Sequence, residues 1–307
     1  MKIFLIGNTG FVGSNLSKQY QFDGLYNSKN VKEAYGKNPN VIVYSAVPAQ
    51  KFLANSNPSQ DEEVIKTAIS NIKQINPEKI ILISTIDVYE NPFNVDEDSN
   101  QFQTKEAYGK DRHNLEVWVQ ENFQNYLIVR LPALYGDNIK KNFIYDLINI
   151  IPSMLKEEKF NELSKLCNEL NKYYTLLDNG FYKLNDITST EKEVLKTIFK
   201  NLNFTALNFT DSRAKFQFYN LANLWKDINI ALDNNLRIVN LATEPIEVRE
   251  LYRYIYNEDF ENEVSSNIPN YNYKTKYYEM YNGKDGYIYN KKEVMEDIKN
   301  FVKKKVN

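Results

Sequence analysis

The sequence predicts an α/β fold in which a doubly wound parallel sheet is followed by a smaller, mainly helical C-terminal region. Two observations predict this fold. Short apolar runs alternate with helical patterns through the first 138 residues, which is typical of parallel sheets with helices on both faces. From residue 139 to 207 the pattern is mainly helical and rich in lysine and glutamate. We therefore expect a sheet region at 1–138 and a mainly helical region at 139–307 that is interleaved with it.

Several apolar runs have the length and composition of strands. They lie at residues 2–6, 25–26, 41–45, 79–84, 126–130 and 237–242. The run at 41–45 is largely β-branched, as in strands that are buried within a parallel sheet. The run at 237–242 returns after the helical stretch, and it would complete the sheet of the first region.

Helical patterns connect these runs. Between the early strands, helices are predicted at 10–20, 31–35, 58–76 and 105–122. The third of them begins at Pro58 and ends before Pro77, and its apolar residues keep helical spacing at Val64, Ala68, Ile72 and Ile75. Amphipathic stretches follow at 140–150, 157–173 and 189–201, and a final helix is predicted at 291–304.

Composition excludes several classes of protein. The 307 residues carry a net charge of −2, which gives no electrostatic basis for binding nucleic acid or a membrane surface. One cysteine and one histidine exclude a disulfide framework and a multi-histidine metal site. The chain opens with no signal-peptide pattern, and it has no run of about 20 apolar residues that could cross a membrane. We therefore expect a cytoplasmic protein with no bound metal.

A glycine-rich segment, Gly-Asn-Thr-Gly-Phe-Val-Gly, directly follows the first strand and opens the first helix. Glycine lets the backbone turn tightly and approach a pyrophosphate, whose charge is stabilised at the helix N-terminus. A tight turn with close helix–strand packing would also explain the glycines, but the position between a strand and a helix favours a dinucleotide site. The residues predicted to bind the cofactor here are Gly7, Thr9, Gly10, Phe11, Val12 and Gly13.

The second strand bears on the choice between NAD and NADP. An acidic residue about 20 positions after the glycines would bind the ribose 2′-hydroxyl of NAD, but this strand runs into Tyr26-Asn27-Ser28-Lys29. Ser28 and Lys29 could receive a 2′-phosphate, or they could form a solvated turn. The predicted cofactor is NAD or NADP with a slight preference for NADP, and Asn27 and Ser28 are predicted to contact it.

Five blocks in this order resemble extended short-chain dehydrogenases/reductases, the NAD-dependent epimerase/dehydratase family that modifies nucleotide sugars. The blocks are Gly-x-x-Gly-x-x-Gly at 7–13, Ile-Ser-Thr-Ile-Asp-Val-Tyr at 83–89, Tyr-Gly-Lys-Asp-Arg at 108–112, Val-Arg-Leu-Pro-Ala-Leu-Tyr-Gly at 129–136 and Val-Asn-Leu-Ala-Thr at 239–243. The resemblance implies a Rossmann sheet and an NAD(P)-dependent enzyme that acts on a nucleotide sugar as an epimerase, a dehydratase or a 4-ketoreductase. It also implies a homodimer that pairs through the helix carrying Tyr108.

The resemblance also assigns catalytic roles. Tyr108 is the acid/base for hydride transfer at a sugar carbon, and Thr85 orients the same sugar oxygen. Arg112, one helical turn from Tyr108 and on the same face, takes the place of the family's lysine. A guanidinium lowers a phenol pKa by proximity, but its hydrogen-bond geometry differs from that of an ammonium. Asp87 lies where 4,6-dehydratases carry an acid, although it could simply cap a turn.

Further residues are implied at the cofactor and the substrate. The additional cofactor residues are Ala46, Val47, Pro132, Tyr108 and Arg112, and the substrate residues are Asn142, Phe143, Arg213 and Gln217. Ala133 stands where many members carry asparagine, and Asn220 where aspartate is usual. These departures leave a second hypothesis open, a non-catalytic NAD(P)-binding sensor or scaffold. The segment 151–207 matches no block, and it could be a substrate lid, a dimer contact or an insertion.

Overall fold

Strands and helices alternate through the first 139 residues of the computed structural model, which describes residues 1–306. The strands are β1 (Ile3–Ile6), β2 (Gly24–Tyr26), β3 (Val41–Tyr44), β4 (Lys79–Thr85), β5 (Tyr126–Leu131) and β6 (Ala133–Tyr135). The helices are α1 (Phe11–Leu16), α2 (Lys51–Ser56), α3 (Pro58–Ile75) and α4 (Ala107–Asn122). The helix predicted at 31–35 is present as a short 3-10 helix, Val31–Ala34.

The later part of the chain contains shorter strands. They are β7 (Met154–Lys156), β8 (Tyr174–Leu176), β9 (Phe181–Leu184), β10 (Lys215–Phe216), β11 (Phe218–Asn220), β12 (Ile238–Asn240) and β13 (Ile246–Glu247). The helices of this part are α5 (Phe143–Ile148), α6 (Glu157–Leu166), α7 (Ser189–Asn201), α8 (Leu224–Asp233), α9 (Val248–Tyr256) and α10 (Lys291–Val306). Within residues 1–306, no helix is both long enough and apolar enough to span a bilayer.

The chain divides into two compact units. The first consists of Met1–Ile139, Lys215–Glu247 and Pro269–Asp297. The second consists of Lys140–Ala214, Val248–Ile268 and 298–306. Each unit is therefore assembled from segments that are far apart in the sequence.

A six-stranded parallel sheet forms the centre of the first unit, with strand order β2-β1-β3-β4-β5-β12. Its β12 lies within the late run at 237–242 and pairs with β5. The carboxyl ends of these strands meet along one edge, since they all run in the same direction. The predicted α/β fold with a parallel sheet is confirmed.

Both faces of this sheet are buried, because successive side chains of a strand point to opposite faces. On one face the strands pack against α3 and α4 in a cluster that includes Phe4, Ile42, Ile80, Ile72 and Val119. On the other face they pack against α8 in a cluster that includes Leu5, Val43, Ile81, Leu224 and Ile228. Burial on both faces explains why these strands are continuous apolar runs in the sequence.

The second unit contains an antiparallel three-stranded sheet, order β7-β9-β8, that the sequence did not predict. Its strands are three or four residues long, which is too short for an alternating pattern to stand out between helical stretches. Leu155 and Tyr174 of this sheet share a core with Phe160 of α6 and with Leu195 and Phe199 of α7. The stretch expected to be mainly helical is thus a small mixed module with its own core.

Candidate active site

The glycine loop, residues 7–13 after β1, has a conformation that requires glycine at two positions. Gly7 has φ of +96°, and a Cβ there would lie 2.8 Å from the backbone carbonyl of Ser45. A Cβ on Gly13 in α1 would lie 2.1 Å from the carbonyl oxygen of Gly7. Gly10 precedes α1, and its N–H donates to Gly7 O over 2.9 Å. Because glycine has no side chain, the backbones of the loop, α1 and the end of β3 can come into close contact.

The residues that follow the neighbouring strands lie along the same edge of the sheet, since the strands are parallel. Asn27 and Ser28 follow β2, Ala46 and Val47 follow β3, and Pro132 follows β5. Asn27 donates a hydrogen bond of 3.4 Å into the glycine loop. Ser28 and Ala46 are exposed. The structure therefore brings these predicted cofactor residues to one edge of the first unit.

Thr85 and Tyr108 meet at the carboxyl end of β4. Thr85 is the last residue of β4, and its side chain lies close enough to the phenol of Tyr108, in the first turn of α4, to lower the pKa of that phenol. A Cβ on Gly109 would lie 2.1 Å from the carbonyl oxygen of Asp87. Glycine at this position therefore lets α4 lie directly against the end of β4. Sequence reasoning gave Gly109 no role, although its place directly after Tyr108 in the 108–112 block was a signal.

The phenol of Tyr108 is strongly perturbed by its surroundings. The residue is 7% exposed, and burial raises the pKa of Tyr108 to about 12. The Arg112 guanidinium and the Thr85 side chain act in the opposite direction, whereas the carboxylate of Asp87 adds to the rise in pKa. Tyr108 is therefore a protonated phenol at neutral pH.

Arg112 is held by a buried ion pair. Its guanidinium pairs with Asp61 of α3, and it donates to the carbonyl oxygens of Pro48 over 2.7 Å and Tyr108 over 3.1 Å. The side chains of Arg112 and Asp61 are 5% and 7% exposed. The guanidinium carbon lies 4.0 Å from the centre of the Tyr108 ring, so the cation covers the face of that ring.

Asp61 is a site residue that sequence reasoning missed. A signal was present, because position 61 continues the buried stripe of α3, which otherwise consists of Ile65, Ala68, Ile72 and Ile75. A charged residue on an apolar stripe needs a partner, since burying an unpaired charge is costly. Asp111 is also buried, and it lies close to Asp61. Burial raises the pKa of Asp111, and the Asp61 carboxylate raises it further.

Asp87 lies two residues after Thr85, and its carboxylate is shared by two donors. Its Oδ1 accepts from Nζ of Lys51 and from the hydroxyl of Tyr271, each over 3.1 Å. Its N–H donates to Oγ1 of Thr85 over 3.2 Å, so the side chain that caps this turn is that of Thr85, whereas the alternative considered from the sequence was a cap by Asp87. The side chain of Asp87 is 20% exposed. Asp87 thus joins the end of β4 to two segments that are distant in the sequence.

Gln217, predicted to bind substrate, lies inside the first unit. It is 1% exposed. Its side-chain amide donates to the backbone carbonyls of Thr243 and Tyr273 and accepts from the N–H of Tyr273. These contacts fix the backbone around residue 273.

The other predicted substrate residues lie in the second unit. Asn142 caps α5 by accepting two backbone N–H groups of its first turn. Phe143 is buried and packs against Phe260. The guanidinium of Arg213 pairs with the carboxylates of Asp211 and Glu263. These side chains have structural contacts within their own unit, and their contact with a substrate stays a prediction.

The arrangement in the first unit is suited to proton transfer next to a bound dinucleotide. The neighbouring hydroxyls of Thr85 and Tyr108 can hold one oxygen of a ligand between them, and Tyr108 can give that oxygen a proton. Among residues 1–306, no group of three or more His, Cys, Asp or Glu side chains is arranged to hold a metal ion.

Comparisons with known proteins give a family and a set of similar structures. The family model described as "RmlD substrate binding domain" matches residues 1–157, and no curated protein matches the chain. The chain is similar to a dTDP-4-dehydrorhamnose reductase from Clostridium acetobutylicum, with 14% identity, 99% of this chain and 100% of that chain covered, and a TM-score of 0.64. A dTDP-4-dehydrorhamnose reductase from Bacillus anthracis in complex with NADP has 15% identity, 99% of each chain covered and a TM-score of 0.64.

A UDP-N-acetylglucosamine 4-epimerase from Methanobrevibacter ruminantium is similar to the same degree, with 13% identity, 98% of this chain and 97% of that chain covered, and a TM-score of 0.63. At these identities the similarity is one of fold. The family model carries more weight because it spans more than half of the 307 residues. The chain belongs to the RmlD substrate binding domain family.

Proposed function

We propose that this chain is an NAD(P)-dependent enzyme that reduces a keto group of a nucleotide-linked sugar, with Tyr108 as the proton donor. The observation that carries the proposal is the juxtaposition of Thr85 and Tyr108 at the end of β4, in the same unit as the glycine loop. The family, together with the similarity to dTDP-4-dehydrorhamnose reductases and a nucleotide-sugar epimerase, supports this class of substrate.

The glycine loop fits a dinucleotide. Gly7 and Gly13 have no room for a Cβ, so the backbone can approach a pyrophosphate closely. The first N–H groups of a helix have no partner within that helix, and those of Phe11 and Val12 can therefore be donated to phosphate oxygens. When bound, the nicotinamide supplies the hydride. Ser28, which is exposed at the end of β2, and the similar reductase in complex with NADP support NADP as the cofactor.

The protonation state of Tyr108 favours reduction. A phenol with a pKa of about 12 can donate a proton to a ketone oxygen as the carbonyl carbon gains hydride. The same phenol is a poor base for removing a proton from a sugar alcohol at neutral pH, and epimerisation begins with that removal. This supports a 4-ketoreductase over an epimerase.

The contacts of Asp87 do not favour a dehydratase. A dehydratase acid must give a proton to the departing hydroxyl of the sugar. The carboxylate of Asp87 instead accepts hydrogen bonds from Lys51 and Tyr271. We therefore favour reduction over a dehydration in which Asp87 expels water.

A second candidate function is NAD(P) binding without turnover. One observation favours it: Arg112, which stands where the family has a lysine, is committed to Asp61 and to backbone carbonyls. A guanidinium in such contacts is not available to a bound nicotinamide ribose. A sensor or scaffold would bind the cofactor and reduce no sugar.

A spectrophotometric assay separates the two candidates. The full chain is incubated with NADPH and with dTDP-, UDP- and GDP-linked 4-keto sugars, and absorbance at 340 nm is followed. We expect turnover with at least one of them and a fall in kcat of about 10²–10⁴-fold in Tyr108→Phe, with NADPH affinity unchanged. Tyr35→Phe is the matched control, because its phenol bonds to Asn71 on α3.

The outcomes of this assay are distinct. Unchanged turnover in Tyr108→Phe would refute the proposed proton donor. Tight NADPH binding with no turnover on any of the sugars would support the second candidate. Stoichiometric NAD released on denaturation of the purified protein would favour an epimerase, because epimerases regenerate the cofactor in place.

A further inference from the structure

Tyr271 is placed rigidly beside the candidate site by a segment distant in the sequence. Its N–H donates to the carbonyl of Lys215 over 3.0 Å, and its ring stacks on Phe216 with ring centres 5.8 Å apart. Two residues further on, Tyr273 is fixed through its N–H by Gln217. A side chain supported in this way loses little conformational freedom when it binds a ligand.

Tyr271 and Tyr108 belong to one electrostatic cluster. Burial raises the pKa of Tyr271, and the carboxylate of Asp87, with Tyr108 nearby, raises it further. Asp87 in turn acts on the phenol of Tyr108. The hydroxyl of Tyr271 therefore remains a proton donor, and it is held at Asp87 next to the site of proton transfer.

The polar groups around Asp87 remain accessible. The side chains of Asp87 and Lys51 are 20% and 45% exposed, and Tyr271 is half-buried. A carboxylate and a phenol side by side offer one acceptor and one donor. A sugar hydroxyl needs both, because it can donate one hydrogen bond and accept another.

We propose that Asp87 and Tyr271 form a subsite for a hydroxyl of the sugar, next to the carbon that is reduced at Tyr108. The sugar hydroxyl inserts into the hydrogen bond between Tyr271 and Asp87: it donates to the Asp87 carboxylate in place of the Tyr271 O–H, and it accepts from that O–H. Lys51 continues to hold the carboxylate from the other side. Asp87 is thus a substrate-binding group and not a proton donor. This inference rests on the proposed function, since it requires a nucleotide sugar as the ligand.

Calorimetric titration tests the subsite without turnover. UDP-glucose, dTDP-glucose and GDP-mannose, and the three matching nucleoside diphosphates, are titrated into the full chain with NADP⁺ present. For the sugar that binds best, we expect Tyr271→Phe to weaken binding about 2- to 13-fold, the effect of one hydrogen bond. The affinity of the matching diphosphate should not change. Tyr287→Phe is the matched control, because it also removes a phenol hydrogen bond from this segment, to Asn272.

Asp87→Asn provides a second variant should Tyr271→Phe fail to fold, and it should show the same selective loss. Unchanged sugar affinity in both variants would overturn the subsite, as would an equal loss for the sugar and its diphosphate. Binding of no nucleotide sugar by the wild-type chain would instead overturn the proposed function, and the subsite with it.

Discussion

The glycine loop and the first turns of α4 lie in the same unit, but different forces fix their conformations. In the loop, close backbone contacts leave no space for a Cβ on Gly7 or Gly13. In α4, a buried guanidinium is held over the ring of Tyr108 by a carboxylate from α3. The loop is fixed by close backbone contacts, within itself and with the end of β3, whereas α4 is fixed by one distant charge. The loop should therefore tolerate no added volume, and α4 should tolerate no loss of charge.

Removing the positive charge of Arg112 from α4 should give the largest loss of stability. In Arg112→Met the side chain keeps its apolar stem, but Asp61 loses its cation inside the protein. Breaking a buried ion pair in this way typically costs about 3–5 kcal/mol. We expect a fall of that size in the free energy of unfolding, measured by urea denaturation.

The matched control is Arg253→Met in the second unit. Arg253 and Asp259 also form an ion pair, but their side chains are 65% and 72% exposed, and exposed pairs contribute less than about 1 kcal/mol. Equal losses of stability in the two variants would show that the buried ion pair of Arg112 and Asp61 contributes no more than an exposed ion pair.

Adding volume to the glycine loop should give the next largest free-energy cost. In Gly13→Ala the new methyl group would meet the carbonyl oxygen of Gly7 at 2.1 Å, and overpacking of this kind costs about 1–3 kcal/mol. We expect this strain to oppose the cofactor-bound conformation of the loop, so NADPH affinity should fall about 5- to 150-fold, measured by fluorescence titration.

Gly36→Ala separates this steric effect from backbone strain. Gly36 has φ of +67°, but a Cβ there would meet nothing within 4 Å. This variant should lose stability and keep its NADPH affinity. Full NADPH affinity in Gly13→Ala would show that the close contact in the loop does not control cofactor binding.

The difference between the loop and α4 also decides what could be predicted from the sequence. The parallel sheet was predictable because strands buried on both faces are continuous apolar runs, and the glycine loop because its determinants are adjacent in the chain. Asp61 and Tyr271 were not, because they meet their partners across 51 and 184 residues. Local periodicity places a residue on a buried face, but it does not identify the partner on another element.

The stability contributed by α4 should depend on pH, whereas that contributed by the loop should not. We expect this effect to be smaller than those of Arg112→Met and Gly13→Ala. Burial and the Asp61 carboxylate raise the pKa of Asp111 in the folded protein. Its stabilising contribution is therefore complete below the ordinary aspartate pKa and is lost as the pH rises through the folded value. Each unit of upward shift corresponds to about 1.4 kcal/mol.

Asp111→Asn removes this titration. We expect the variant to gain stability relative to the wild type at pH 7 and to show little gain at pH 4, as measured by denaturation midpoints at both values. Gly13→Ala should shift the midpoint equally at both pH values, because it changes volume and not charge. A gain in Asp111→Asn that is independent of pH would contradict the proposed coupling of Asp111 to Asp61.

The smallest expected effect concerns which dinucleotide the loop accepts. The glycines explain how a pyrophosphate could approach the backbone, but they do not distinguish NADP from NAD. Lys29, exposed after β2, would meet the 2′-phosphate of NADP as a solvated ion pair, which contributes about 0.2–1 kcal/mol. Lys29→Met should therefore weaken NADPH binding about 1.4- to 5-fold and leave NADH binding unchanged, measured by fluorescence titration at low ionic strength. An equal loss for both cofactors would assign Lys29 to the pyrophosphate or to the fold, and the preference for NADP would then depend on Ser28 and its neighbours.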